Sequence, residues 1–397
     1  MTQRNARNSS VDLILASAAC GAVAIMIILD RGFYTRIAND AFFSIGLASV
    51  AIVFVHVRPW REIWQLVVGF VVLLIGQRVR IGVPVRLAAA GAVLGIAALT
   101  LLAFRRIWST LAQEKRRLRL ALLPPLLMVL LDYFNSGWWW ATGASRPLTL
   151  DLYLYSFDGS LGTEPSFDLG RVMLRSAPVM RIGLFCYLAL PAILMLVYAQ
   201  LLTRHERVAL NAFLAFVLVG PLGIIFYNLF PACGPAYLFP HFPRDAMTLQ
   251  QLRQLPLHPV AVQGARNASP SLHMAWALLA LWYSRELSRW MQILLWVFLA
   301  ATVLATLGLG EHYFIDLVAA VPFASIVWFA SFGDVHFRGR RGGLFLMAGL
   351  LWMVAWVVLL RFAVGVMWMS PLIPWTLIVG TVSSCIFWQN RISRPQN

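Results

Sequence analysis

Apolar segments about as long as a bilayer is thick recur along the whole chain, and charged residues are held to the intervals between them. That pattern leaves few folds open. In hydrocarbon every backbone N–H and C=O must find its partner inside the protein, so such segments fold as helices. About 20 residues cross the hydrocarbon core, and the sequence predicts about twelve such helices. Their approximate limits are 11–30, 41–57, 63–79, 84–104, 118–135, 180–203, 208–230, 270–285, 290–309, 312–331, 343–361 and 371–389. Only 12% of residues are charged, against roughly 25% in soluble domains. The fold class is therefore all-α and polytopic.

The formal charge of +16 would suit a nucleic-acid partner if it lay on one face, but it does not. Basic residues cluster at Arg4/Arg7, Arg58/Arg61, Arg105 to Arg119, Arg204/Arg207, Arg285/Arg289, Arg338/Arg340/Arg341 and Arg391/Arg394. If the helices alternate, all of these fall on one side, which the positive-inside rule makes the cytoplasm. Arg78, Arg80 and Arg86 break the rule in one short loop. The expected partners are membrane lipids, with no nucleic acid and no obligatory protein partner. The arginine-heavy composition points to a bacterial inner or plasma membrane.

Residues 11–30 read as a transmembrane helix and not a cleaved signal, because Asp12 interrupts the run and the run continues past Cys20 to Leu29. The four cysteines are scattered, with no metal-ligand spacing and no expected disulfide. Three regions are predicted: an N-terminal helical unit at 1–135, a catalytic region at 136–335 and a transmembrane hairpin at 336–397. The first five helices carry no chemical motif. Residues 136–179 form a long outer loop opening on Trp138, Trp139 and Trp140, with Asp151 to Gly162 expected as an amphipathic helix along the membrane plane. A second outer loop, 231–269, contains Pro231, Gly234, Pro235, Pro240 and Pro243 and is expected to be ordered over the site.

Two strings carry the chemistry. In Ser269-Pro270-Ser271-Leu272-His273, Ser269 suits an N-cap and Pro270 the first helical position. The first turn would then offer backbone N–H groups and partial positive charge to a phosphate. Ser271 adds a hydroxyl, Arg266 a two-pronged donor, and His273 a proton for a leaving oxygen. In Glu311-His312-Tyr313-Phe314-Ile315-Asp316, His312 and Asp316 are spaced i, i+4 on one helical face, about 6 Å apart along the axis. A carboxylate behind an imidazole fixes its tautomer and leaves the other nitrogen free to attack phosphorus. One intervening helix returns the chain to the same membrane face, so the two strings meet at one outward rim. No acid cluster accompanies them, so neither metal nor cofactor is expected.

These strings resemble the type-2 phosphatidic acid phosphatase superfamily, metal-independent membrane enzymes that pass through a phosphohistidine. The resemblance covers roughly residues 150–330 and implies a six-helix catalytic bundle. It makes Ser271 a phosphate ligand, His273 the general acid, His312 the nucleophile and Asp316 its orienting carboxylate. The chain departs from the phosphatase pattern at Leu272, where that pattern has glycine, and at Thr306, six residues before His312, where it has arginine. Both departures, and the stretch from Phe230 to Tyr237, resemble the branch containing fungal inositol phosphorylceramide synthases. The family's basic motif is missing, so the phosphate clamp falls to Arg266, then Arg244, then Arg171. Tyr237, Asp158, Tyr313 and Thr306 are candidate pocket residues.

The implied activity is phosphotransfer from a lipid-linked phosphate or phosphodiester to a hydroxyl acceptor. With water as acceptor it is a lipid phosphate phosphatase. Two readings from other classes are a twelve-helix transporter and a lipid-carrier-dependent glycosyltransferase using Asp151, Asp158 or Asp168.

Overall fold

The computed structural model describes residues 40–56, 64–72, 75, 87–243, 246–332 and 340–392. The predicted span 11–30 and Arg244 lie outside them. In chain order the helices are α1 (Asp40–His56), α2 (Leu87–Trp108), α3 (Ala112–Ser145), α4 (Asp151–Ser160), α5 (Pro165–Arg175) and α6 (Ala177–Leu188). There follow α7 (Leu190–Arg204), α8 (Glu206–Leu229), α9 (Pro235–Leu238), α10 (Leu249–Arg253) and α11 (Leu272–Tyr283). The chain ends with α12 (Arg289–Gly308), α13 (Phe314–Ser331), α14 (Arg340–Phe362) and α15 (Leu372–Ile392). A short antiparallel pair, Leu148–Thr149 with Val260–Ala261, joins the two long loops.

Six helical segments among the described residues are long and apolar enough to cross a membrane. They are Ala90–Trp108, Glu206–Leu229, Arg289–Gly308, Phe314–Ser331, Gly342–Phe362 and Leu372–Gln389. The count becomes seven if α6 and α7 form one broken span. About twelve were expected; the predicted span 63–79 lies partly outside the described residues, and others differ for local reasons. The span at 180–203 is divided at Ala189, because Pro191 suits the start of a new helix and not the interior of an old one. The span at 270–285 is a helix of only 12 residues. In α1 the stretch Phe43–His56 is apolar, and 118–135 lies within the 34-residue α3.

The chain divides into two compact units, residues 1–135 with 188–209, and residues 136–187 with 210–397. In the first, α1 packs against α2 and α7. The α1–α2 contact brings backbone against backbone: a Cβ on Gly46 would lie 2.0 Å from the Gly91 carbonyl oxygen. Small residues allow this approach where no hydrophobic effect draws helices together in lipid.

In the second unit α11, α12, α13, α14 and α15 pack around one another, with α4 and α5 against them. The loop segment at Asp151 does form a helix, but it is enclosed by protein and not amphipathic as expected. All but one of the ten α4 residues are buried, Asp151 and Asp158 included. Tyr155 of α4 packs edge-on to Phe239, 4.8 Å between ring centres, and also against Phe167 and Tyr313. Its hydroxyl donates to Glu164 and accepts from the Met247 amide at 2.8 Å. This aromatic cluster ties α4, α5 and the proline-rich loop beneath the residues of the second motif.

Candidate active site

The helix of the first motif starts two residues later than the sequence predicts. Ser271, not Ser269, is its N-cap, with Oγ accepting from the Met274 amide at 3.4 Å. Capping uses an oxygen lone pair and leaves the hydroxyl proton able to donate. Ser271 is fully buried, and its own amide donates to the Asp316 carbonyl at 3.1 Å, which fastens the two motifs together. His273 sits in the first turn, half-buried, stacked on Tyr187 at 3.9 Å between ring centres.

The second motif is held by three tertiary hydrogen bonds to its backbone and by one bond of its own. Asp158 accepts from the Phe314 amide at 2.7 Å and the Ile315 amide at 3.2 Å, so a buried carboxylate from α4 caps α13. Ser166 Oγ donates to the His312 carbonyl at 2.8 Å. Asp316 accepts from the Tyr313 amide at 2.8 Å. The preceding turn needs close approach: a Cβ on Gly234, at φ +107°, would lie 2.4 Å from the Glu311 carbonyl oxygen.

His312 is buried, and its Nδ1 lies 2.8 Å from the Ala268 carbonyl oxygen. A carbonyl only accepts, so Nδ1 carries the proton and Nε2 the lone pair. Asp316 Oδ2 is 3.8 Å from Nδ1, too long for a hydrogen bond. The His312–Asp316 pairing predicted from spacing is thus an electrostatic neighbour contact, while the backbone sets the tautomer. The His273 and His312 rings stand 6.5 Å apart between centres, at 59° to each other.

The structure places the other predicted residues as follows. Arg266 is buried, with Nε donating to the Arg146 carbonyl at 2.8 Å and Nη2 to the Pro147 carbonyl at 3.0 Å. Its Nη1 donates to the Gly264 carbonyl at 2.7 Å and the Cys233 sulfur at 2.9 Å. These four contacts absorb most of the guanidinium fork, so Arg266 is an internal tie between loops and not a free phosphate clamp. Arg171 pairs with Asp168 at 2.6 Å on the surface. Thr306 bonds back to the Thr302 carbonyl at 2.8 Å and offers nothing to the rim. The Leu272 side chain packs against Gly223 of α8. Tyr313 is buried in the aromatic cluster. Asp158 faces the α13 amides and not a pocket, and burial pushes its carboxyl well above the ordinary range.

Tyr237 does reach the rim, half-exposed, its hydroxyl donating to Glu311 Oε2 at 3.3 Å. Burial raises the Glu311 carboxyl above its ordinary range, against the opposing pull of His312 and the Tyr237 hydroxyl. Asp151 accepts from the Cys233 amide at 3.1 Å and the Gly234 amide at 2.8 Å, so it too is committed to backbone. Sequence reasoning missed Tyr187, Ser166 and Ala268. Each acts through a ring face or backbone partner far away in sequence, and no motif marks them.

Among the described residues no group of three or more His, Cys, Asp or Glu is placed to hold a metal ion. What the geometry brings together is a pair of imidazoles, one with a free lone pair, beside a capped helix start. The apolar helices around it fit an integral membrane protein.

Residues 152–330 match a family model described as the PAP2 superfamily. That segment contains both motifs and α4 through α13 apart from the first residue of α4, Asp151, and the last of α13, Ser331. At the level of the superfamily, it fits a membrane lipid phosphatase or phosphotransferase. No curated protein and no solved structure matches the chain.

Proposed function

We propose that this chain is a lipid phosphotransferase that works through a phosphohistidine on His312, as the resemblance to inositol phosphorylceramide synthases implies. The observation that carries the reading is the 6.5 Å between the His273 and His312 rings, with Nδ1 of His312 committed to Ala268. A single tetrahedral phosphate fits between them. In the first step His312 Nε2 bonds to phosphorus, the bond to the leaving oxygen breaks, and His273 protonates that oxygen. The charge of the bound phosphate favours the imidazolium that this step requires. In the second step an acceptor hydroxyl gives its proton to His273, its oxygen bonds to phosphorus, and the N–P bond breaks. Two easier displacements replace one difficult one.

The choice of an alcohol acceptor over water rests on the resemblance. The Pro-Ser-Leu-His motif and Thr306 support it by resemblance only, since neither the Leu272 nor the Thr306 side chain brings a polar group to the rim. Engagement of Asp151 and Asp158 by backbone amides, and of Asp168 by Arg171, speaks against the glycosyltransferase reading. The test is incubation with a labelled lipid phosphate, with and without candidate acceptor alcohols, followed by mass spectrometry for phosphohistidine. Transfer requires labelled product that depends on the acceptor and is lost in His312→Ala. Phosphate release insensitive to every acceptor would replace transfer by hydrolysis.

A further inference from the structure

An apolar groove of about 490 Å³ runs between α11, α12, α13 and α15. It is lined at helical spacing, by Met274, Leu278 and Leu281 on α11 and by Phe314, Leu317 and Val321 on α13. Ile378, Val382 and Ile386 of α15 form another wall. We propose that this groove holds one hydrocarbon chain of the lipid donor. The proposal rests on the lipid-donor reading above.

Three features select that occupant. First, the walls short of the far end are apolar, so water has no partners along them. Second, one end is set by Met274 and Phe314, the residue after His273 and the second residue after His312. A chain anchored by its phosphate between the histidines starts at that end. Third, the far end is polar: Arg285 Nη2 donates to Gln389 Oε1 at 2.6 Å, and Gln292 lies beside them. A hydrocarbon chain entering from the histidines stops at that plug. Met274 to Arg285 spans about 16 Å of helix, more than half of the ~30 Å hydrocarbon core. The α15 wall lies outside residues 152–330, so this part of the groove is built by a helix that the PAP2 segment does not include.

The test compares two phosphatidic acid donors with the same headgroup, dioleoyl and dihexanoyl, on the full-length protein and on Val382→Trp. The large ring fills the groove from α15. The ratio of kcat/KM for the long-chain over the short-chain donor is expected to fall by about tenfold or more. A ratio that stays as in the parent protein overturns the proposal, and a partly unfolded variant does not mimic the effect, because it lowers both rates alike. A second measurement separates the groove from the reaction. Dioleoyl phosphatidic acid carrying a diazirine in one chain should label the peptide around Ile378 to Ile386, and Val382→Trp should suppress that label. Equal labelling by the matching phosphatidylcholine would mean that bulk lipid fills the groove, and absence of label would remove the groove altogether. If neither donor turns over but the phosphatidic acid label appears, the activity proposed above fails while the binding groove stands.

Discussion

His312 Nδ1 lies 3.8 Å from the carboxylate of Asp316 and a full ångström closer to the carbonyl of Ala268. The two candidates for orienting the nucleophile therefore have different jobs. The carbonyl fixes which nitrogen is protonated. The carboxylate, fully buried and bonded to the Tyr313 amide, supplies negative charge that steadies the imidazole when it becomes cationic. Losing the correct tautomer in a histidine-dependent site costs about 10⁴-fold in turnover. Asp316→Asn keeps an oxygen for the Tyr313 amide and leaves Ala268 in place. Its kcat is expected to fall by roughly 10- to 100-fold, well short of the tautomer penalty. Steady-state kinetics on a lipid phosphate substrate would check this, and a loss near 10⁴-fold would return the orienting role to the carboxylate.

Asp158 holds two amide donors at the start of α13. Asp158→Ala strands both in a buried site, where each unsatisfied group costs about 1–3 kcal/mol. The variant should unfold at clearly lower temperature in detergent, with destabilisation of roughly 2–6 kcal/mol. Asp158→Asn keeps one acceptor but sets an NH₂ group against the other amide, so it should fall between the two. A wild-type melting curve for Asp158→Ala would mean that the cap carries no weight.

Glu311 gives a pH dependence whose sign follows from its burial. In the folded protein its carboxyl stays protonated to higher pH than in the unfolded chain. Between the two values the folded state binds more protons, so stability falls as pH rises. The contribution is fully present below the ordinary carboxylate pKa and is lost as pH passes the raised value. Glu311→Gln is neutral throughout. The stability difference, Glu311→Gln minus wild type, should grow as pH rises from about 4 to about 8. Thermal unfolding across that range measures it, and a flat difference would contradict the raised carboxyl.

Arg266 tests the distinction between a clamp and a tie. Arg266→Lys keeps the charge but has one nitrogen to serve carbonyls at Arg146, Pro147 and Gly264. Arg and Lys are not equivalent at such a forked site. The expected result is lowered thermal stability with KM for a lipid phosphate changed by less than about threefold. A large rise in KM at unchanged stability would restore the phosphate role.

The sequence by itself determined the apolar helical character, because lipid leaves the backbone no other partner than its own helix. It also located the two motifs, because His, Ser and Asp are costly at membrane helix ends and stand out against leucine and valine. Their adjacency was legible too, since one intervening helix returns the chain to its starting face. Tertiary structure alone decided who partners whom. Asp158 and Asp151 read as pocket or catalytic acids, yet both went to backbone amides, because a buried helix start must find acceptors wherever the fold supplies them. Arg266 went to carbonyls of a loop 120 residues earlier, because buried carbonyls in turn need donors. Hydrogen bonds to backbone leave no residue-type signature, so Ala268, which sets the tautomer of His312, could not be distinguished in the sequence from any other alanine.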